Sequence, residues 1–174
     1  MDESETVGKG SNGTLSLVLD GIKRFNKGEK YLKFTCDNAA GQNKNNTTIQ
    51  FLSYLTICKL YENIGLDFMI AGHTKFRVDG NFGMIKRKYR KSTIFSKKQF
   101  DEVVKKSSPL GLNKVQCYED GMRFQYYDIK GTLKKYFEKL PNIAKYHHFY
   151  FSSDKLGIVE VREFADSPSI EFNL

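Results

Sequence analysis

Hydrophobic positions along the first half of the chain recur with two periods and predict an alternation of helices and short strands. From Thr14, a candidate N-cap, to Phe25, apolar residues recur at helical spacing. Short apolar runs at Tyr31–Cys36 and at residues 66–71 predict two strands, and the wide apolar stripe of residues 46–63 predicts a helix pressed against a sheet. Strand, helix and strand of these lengths form a parallel crossover unit.

The second half of the chain is richer in strand signals. Ser96 is placed to cap a short helix that ends in the polar loop at residues 105–109. Beyond this loop the pattern predicts a hairpin over residues 115–126, a short helix from Thr132 to Leu140, and a second hairpin over residues 146–161. The sequence therefore predicts three parts, which are a disordered tail (1–13), an α/β core (14–108) and a strand-rich α+β appendage (109–174).

The composition is that of a globular chain, since 40% of its 174 residues are hydrophobic and 14% are aromatic. It has no run of about 18 apolar residues, and its acidic first residues are unlike a secretory signal, so we expect no membrane span. Cys36, Cys58 and Cys117 are widely spaced, which favours buried free thiols in a reducing compartment. We therefore expect an intracellular protein, nuclear or cytoplasmic.

Two aspartates are predicted to lie where the two parallel strands end. Asp37 follows the first strand directly, and Asp79 follows the second in the loop that opens the next helix. Ligands of open parallel sheets lie at this edge, and paired carboxylates there bind Mg²⁺ or Mn²⁺ for phosphodiester chemistry. By spacing alone, Asp79 is better explained as a helix cap. Asp20 lies in the first predicted helix and is interpreted as a solvated carboxylate.

Other polar groups at this edge have both a functional and a structural interpretation. The amide-rich loop at residues 41–46, with Lys44, precedes a helix and could bind phosphate through backbone N–H groups, although a polar turn with a helix cap is favoured by spacing. His73 could assist proton transfer or contact phosphate, while a lone loop histidine more often packs locally. His147 and His148 point to opposite faces of a strand and favour structural roles.

The formal charge of +8 favours a polyanionic partner, with nucleic acid first. The basic residues cluster near the acidic edge, with Tyr89 among them, and comprise Lys75, Arg77, Lys86, Arg87, Lys88, Arg90, Lys91, Lys97 and Lys98. A solvated helix face is the alternative interpretation. The closeness of the cluster to the two aspartates favours DNA, and each phosphate contact would make binding salt-dependent.

Two motifs in this region resemble those of a known family. Residues 37–45 read DNAAGQNKN, and residues 72–83 read GHTKFRVDGNFG. They resemble a domain of unknown function found in transposon-derived eukaryotic proteins, which is similar to the ribonuclease-H-like catalytic core of DDE transposases. The resemblance continues through residues 86–91 and reappears at residues 145–149, so it extends over most of the chain from residue 14.

The resemblance implies a metal-dependent triad of acids. It implies Asp37 as the second acid and places the third within residues 72–86, where Asp79 is the best match, although some relatives carry a glutamate where this chain has Lys86. In the resembled family the first acid lies on an upstream strand, which should pair between the two strands found here. Residues before Asp37 read as a tail and a helix, so we expect that strand to be absent.

These observations predict a partial ribonuclease-H-like α/β fold with a C-terminal α+β appendage. The predicted function is that of a fragment of a transposase-derived domain, ancestrally active in Mg²⁺- or Mn²⁺-dependent hydrolysis and strand transfer at DNA phosphodiesters, and inactive alone. The alternatives are a DNA-binding module without catalysis and a protein-interaction module in which the basic surface is incidental.

Overall fold

The computed structural model describes residues 10–69, 77–115 and 125–174. In these residues the chain forms a mixed α/β structure with five strands in one sheet and five α-helices. They belong to two compact units, the first containing residues 10–69 and 125–174 and the second containing residues 77–115. Among the described helices, none combines the length and the apolarity that crossing a bilayer requires.

The first unit is built on a five-stranded sheet of order β1-β2-β3-β4-β5. Its strands are β1 Tyr31–Cys36, β2 Asn63–Phe68, β3 His148–Ser152, β4 Ile158–Arg162 and β5 Ile170–Asn173. The first two strands are parallel, and all other neighbours are antiparallel. The predicted parallel crossover and the predicted hairpin formed by β3 and β4 are therefore confirmed.

The C-terminal strands belong to the same sheet as β1 and β2. The sequence had predicted a separate appendage for residues 109–174, so this part of the prediction is wrong for the strands. Residues 63–67 of β2 pair with residues 148–152 of β3, so the second edge of β2 finds its hydrogen-bond partners in the C-terminal part of the chain. An unpaired edge in the middle of a core would leave backbone groups unsatisfied. Pairing with β3 removes that cost and joins both parts into one unit.

The expectation that an absent strand would lie between β1 and β2 is wrong. The two strands pair directly from Tyr31 opposite Asn63 to Cys36 opposite Phe68, which leaves no room for a strand between them. β1 is instead the edge strand of the sheet.

Helix α1 spans Ser11–Phe25 and begins before the predicted cap Thr14. The reason is a tertiary contact that no local pattern shows. The Asn12 side chain donates to Asp128 Oδ1 over 2.9 Å and accepts from the backbone N–H of Lys130 over 2.8 Å. These bonds fix the first helical turn against the C-terminal part of the chain.

Helix α2 spans Asn46–Ile57 and is shorter than predicted. Lys59 adopts a left-handed conformation with φ of 55°, and the N–H of Leu60 bonds to the carbonyl of Leu55 over 3.0 Å. This closure ends an α-helix, and β2 therefore begins at Asn63 rather than at Leu66.

Helices α1, α2 and α5 of the first unit pack together over one face of the sheet. α5 is the single turn Ile129–Leu133, earlier and shorter than the predicted helix 132–140. The core between the layers includes Leu52, Phe151 and Val159, each no more than 2% exposed. The opposite face of the sheet is not covered by any described element of this unit.

The second unit contains helices α3, Arg77–Tyr89, and α4, Lys97–Lys105. The Ser96 side chain accepts from the N–H of Gln99 over 3.3 Å, which confirms the predicted cap. Tyr89 and Phe100 meet edge to face, with ring centroids 6.0 Å apart, and hold the two helices together. Most of the predicted hairpin over residues 115–126 lies outside the described residues.

The thiols differ in exposure. Cys36 is half-buried on β1, and burial raises the pKa of its thiol. Cys58 is exposed at the end of α2, so its predicted burial is wrong. The buried stripe of α2 ends at Thr56, and both Ile57, the last helical residue, and Cys58 are exposed. Both thiols are free, and Cys117 lies outside the described residues.

Candidate functional site

Asp37 lies at the carboxyl end of β1, as the sequence predicted. Its Oδ1 accepts hydrogen bonds from the side-chain amide of Asn43 over 2.6 Å and from the N–H of Ala39 over 3.2 Å. The residue is exposed. Because both bonds use one oxygen, Oδ2 has no hydrogen bond to a described residue, and the carboxylate is fixed but still accessible.

The described residues of either unit do not by themselves complete a Mg²⁺ or Mn²⁺ site. Such cations require several oxygen ligands, and both oxygens of the neighbouring strand's acid, Asp67, already accept bonds from Lys33 and His148. Across residues 10–69, 77–115 and 125–174, no three His, Cys, Asp or Glu side chains come together as a ligand set. Asp37 alone supplies too few ligands.

The other predicted members of the acidic site lie elsewhere in the chain. Asp79 is exposed in the first turn of α3, which begins at Arg77. Asp79 is therefore a helical residue and the predicted N-cap is wrong, although an acid in the first turn still complements the helix dipole. A cation shared by Asp37 and Asp79 stays a prediction. Arg77 begins α3. His73 and Lys75 lie outside the described residues, and their roles stay predictions.

Lys44 is buried within the first unit rather than offered to a phosphate. It is only 8% exposed. Its ammonium donates 3.1 Å bonds to the Asn38 side-chain oxygen and to the Ala144 carbonyl, and lies 5.2 Å from the centroid of the Phe68 ring. Burial lowers the pKa of the amine. The expected phosphate contact is therefore corrected to a structural role that ties three segments together.

The amide-rich loop before α2 also has a structural role. The Asn45 side chain accepts from the N–H of Thr48 over 3.1 Å and donates to the carbonyl of Ala40 over 3.1 Å. The Asn46 side chain accepts from the N–H of Leu140 over 2.8 Å. The interpretation as a polar turn with a helix cap is confirmed, because these amides are committed to the chain itself.

The basic cluster forms the end of α3 and the start of α4. Seven of its members are exposed, and these are Lys86, Arg87, Lys88, Arg90, Lys91, Lys97 and Lys98. None of the five on residues 86–91 forms an ion pair with a carboxylate of the described residues. Two exposed rings, Phe82 at 63% and Phe95 at 86%, lie on the same unit. Cations interleaved with accessible aromatic rings are typical of nucleic-acid surfaces.

The excess charge of the whole chain is concentrated on this unit. Residues 77–115 contain eleven Lys and Arg and three Asp and Glu, a net charge of +8, which equals the formal net charge of the complete chain. All other residues together are therefore formally neutral. About half of this excess lies within α3 and α4 themselves, and the rest lies in the segments that flank them. A local excess of this kind produces a positive potential over one part of the chain.

A third polar cluster lies on the uncovered face of the sheet and escaped the sequence analysis. Asp67 Oδ2 accepts from Lys33 Nζ over 2.8 Å, and Asp67 Oδ1 bonds to His148 Nδ1 over 2.8 Å. Burial by itself would raise the pKa of Asp67, but the hydrogen bonds and charges of Lys33 and His148 outweigh it and lower the pKa. The alternation Asn63, Gly65, Asp67 along β2 is the signal that could have revealed this face.

The two adjacent histidines have separate partners, as the strand pattern predicted. His148 bonds to Asp67, whereas His147 Nδ1 lies 2.9 Å from the carbonyl oxygen of Glu163 and its ring stacks on Phe164. They do not share a site.

One comparison with known proteins identifies a relationship. The sequence model of a family described as a domain of unknown function (DUF7869) matches residues 3–167, which is nearly the full chain. No curated protein and no solved structure matches the chain.

Proposed function

Because the chain belongs to the DUF7869 family, whose description states no activity, we propose a function from the residues themselves. The chain is a polynucleotide-binding domain derived from the ribonuclease-H-like core of DDE transposases. It binds DNA through α3 and α4 and does not cleave phosphodiesters by itself. The observation that carries this proposal is the confinement of the entire +8 excess charge to residues 77–115.

Electrostatics supports the DNA-binding part. Each lysine or arginine that neutralises a phosphate releases condensed counterions, and the logarithm of the affinity then falls with the logarithm of salt by about 0.9 per neutralised phosphate. The exposed basic residues of α3 and α4 can neutralise several phosphates. The five basic residues at 86–91 form no ion pair with a carboxylate of the described residues, so no internal ion pair has to break there first, whereas Lys105 of α4 is paired with Glu102 over 3.0 Å.

The parallel strand-helix-strand unit with Asp37 at its end supports the proposed ancestry. The resemblance places the strand of the first acid between β1 and β2, and these two strands pair directly with each other. The described strands supply no acid at that position. Catalysis at a metal centre is therefore absent from the proposed function of this chain.

Salt-titrated binding of a duplex oligonucleotide, followed by fluorescence anisotropy, tests the proposal. The decisive variant reverses three charges, Lys86→Glu, Arg87→Glu and Lys88→Glu. We expect it to lower affinity at least tenfold at about 50 mM salt and to reduce the salt dependence by about 0.9 for each phosphate that the variant no longer neutralises.

The matched control reverses three exposed charges on the first unit, with Lys134→Glu, Lys135→Glu and Lys139→Glu. The net charge changes equally in both variants, so only the location of the charge distinguishes them. Equal losses of affinity in the two variants would show that DNA affinity depends on the net charge of the chain and not on the location of the charges. Unchanged affinity in the α3 variant, or no binding of wild type at low salt, would refute the proposed interface and favour a protein-interaction module.

A further inference from the structure

The uncovered face of the sheet contains a hollow of about 660 Å³ that the proposed function does not use. Its floor is Gly65, in the middle of β2, with Lys33 of β1 and Tyr150 of β3 opposite it in register. A Cβ added at Gly65 would lie 3.8 Å from Lys33 Cγ, an ordinary contact distance, so packing does not require glycine here. Glycine inside a strand weakens it and often marks the close approach of a ligand.

One end of the hollow carries an available cation. Arg162 lies opposite His148 in the β3–β4 register, and its guanidinium donates only a long 3.5 Å bond to the carbonyl of Ala165. It pairs with no carboxylate of the described residues. The acids nearby are already engaged, Asp67 by Lys33 and His148, and Glu160 Oε1 by Lys155 over 2.9 Å. The hollow thus offers one uncompensated guanidinium, a group suited to bidentate recognition of phosphate.

The middle of the hollow offers flat apolar surface. Tyr150 is 42% exposed beside Gly65, and its hydroxyl donates to the Asn63 side-chain oxygen over 2.5 Å. This bond fixes the ring on the sheet. Tyr31, on the edge strand, is 68% exposed and also lines the hollow. Aromatic side chains on an open sheet face are stacking platforms for nucleobases.

The spacing of these groups selects the ligand. Tyr150 and His148 are two residues apart on β3, which corresponds to about 7 Å along a strand, and Arg162 lies beside His148. A ring over Gly65 and an anion at Arg162 are therefore separated much as the base and the 5′-phosphate are within one nucleotide. A free inorganic anion would use only one end of the hollow.

We propose that this hollow binds a nucleoside monophosphate unit, with the base over Gly65 beside Tyr150 and the phosphate on Arg162. The unit can be a free mononucleotide or one nucleotide of a single strand. The site lies on the first unit and uses no residue of α3 or α4, so it stands independently of the proposed duplex interface.

Calorimetric titration of the full chain with adenosine monophosphate, adenosine, inorganic phosphate and single-stranded oligoadenylate tests the proposal. We expect the monophosphate to bind about tenfold more tightly than adenosine, the gain typical of a hydrogen bond to a charged group. Oligoadenylate binding tighter than the monophosphate identifies a single strand as the ligand, whereas equal or weaker binding identifies the free mononucleotide. Equal affinities for adenosine and its monophosphate, or no saturable binding of the monophosphate, would overturn the proposal.

The sharpest variant is Gly65→Val. Valine favours strands and the space above Gly65 accepts a Cβ, so the melting temperature should be unchanged or higher, while binding of the monophosphate falls at least tenfold. Thr35→Val, on the same sheet face but outside the hollow, is the matched control and should bind like wild type. Retained binding in Gly65→Val would contradict the assignment.

A second variant removes the guanidinium proposed to bind the phosphate, without filling the hollow. Arg162→Gln should lower affinity for the monophosphate about tenfold and leave affinity for adenosine unchanged. Lys139→Gln removes one charge elsewhere on the first unit and should have no effect. The triple α3 reversal should also leave monophosphate binding intact, so failure of this site and failure of the duplex interface give different results. Loss of adenosine and monophosphate binding alike in Arg162→Gln would refute the phosphate contact.

Discussion

The ammonium of Lys44 donates a 3.1 Å hydrogen bond to the side-chain oxygen of Asn38, and the Asn38 amide in turn donates to the carbonyl of Met69. Asn38 follows Asp37 at the end of β1, and Met69 follows β2, so this chain of bonds fastens the two parallel strand ends together. The same ammonium reaches the Ala144 carbonyl. A buried cation with neutral acceptors is thus the clamp that fixes the segment carrying Asp37.

Replacing Lys44 with methionine should destabilise the first unit. Methionine preserves much of the aliphatic length but leaves the oxygens of half-buried Asn38 and exposed Ala144 without their donor. An unsatisfied acceptor costs about 1–3 kcal/mol where it is fully buried, and less where water reaches it. Relief of the buried charge offsets part of this cost. We expect a net loss of about 2 kcal/mol in the free energy of unfolding at neutral pH, measured by urea denaturation.

The pH dependence of this difference supplies a second readout. Burial lowers the pKa of Lys44 from its ordinary 10.5, so the folded state binds fewer protons than the unfolded state between the two pKa values. The wild-type free energy of unfolding should therefore rise with pH in that window relative to Lys44→Met. Lys139→Met, at an exposed site, should show neither the loss of stability nor the slope. If the free energy of unfolding changed with pH in the same way for wild type and for Lys44→Met, the inference that the Lys44 amine is desolvated would be wrong.

The N-cap of α2, Asn45, should contribute to stability independently of the Lys44 hydrogen bonds. In Asn45→Ala the N–H of Thr48 and the carbonyl of Ala40 are both deprived of a side-chain partner. Removal of an asparagine N-cap typically costs about 1 kcal/mol, and we expect this decrease in the free energy of unfolding by urea denaturation. Gln42→Ala, at an exposed position of the same loop, is the control and should change stability little. Equal effects of the two would show that Asn45 is not the cap.

Local patterns in the sequence predict several of the strands and one helix cap, but not the long-range contacts that hold these elements together. The period-two run at Tyr31–Cys36 and the Ser96 cap depend on neighbours in sequence, and both are found as predicted. The start of α1 depends on Asn12 meeting Asp128, and the addition of β3 to β2 joins residues more than eighty positions apart. Such contacts leave no local period. The role of Lys44 escapes local prediction for the same reason, because its contacts with Ala144 and Phe68 are distant in sequence.

The Asp67 carboxylate should stabilise the sheet in a pH-dependent manner. Its pKa is lowered in the folded state, so its contribution is present above the ordinary value of 3.8 and is lost as pH falls through the folded pKa. Lys33 is well exposed, so the contribution is modest. We expect Asp67→Asn to reduce the free energy of unfolding by about 1 kcal/mol at pH 7, measured by urea denaturation across acidic and neutral pH.

The expected signature is a difference between wild type and Asp67→Asn that shrinks as the buffer is acidified. Asp166→Asn, at an exposed position of the first unit, controls for the general effect of removing a carboxylate. If the Asp67 variant differed from wild type by the same amount at every pH, the bonds from Lys33 and His148 would not be the source of the stabilisation.

The acidic site itself should be inactive in this chain. Asp37 presents one accessible carboxylate, Asp67 is engaged by two partners, and the described residues hold no cluster of three metal-binding side chains. We therefore expect supercoiled plasmid to stay intact when incubated with the chain and Mg²⁺ or Mn²⁺, at the background rate of an Asp37→Ala variant. Asp154→Ala, another exposed aspartate of the first unit, controls for removal of a surface carboxylate. Metal-dependent nicking that persists in Asp154→Ala and disappears in Asp37→Ala would show that a second ligand completes the site, with Asp79 the first candidate for replacement by alanine.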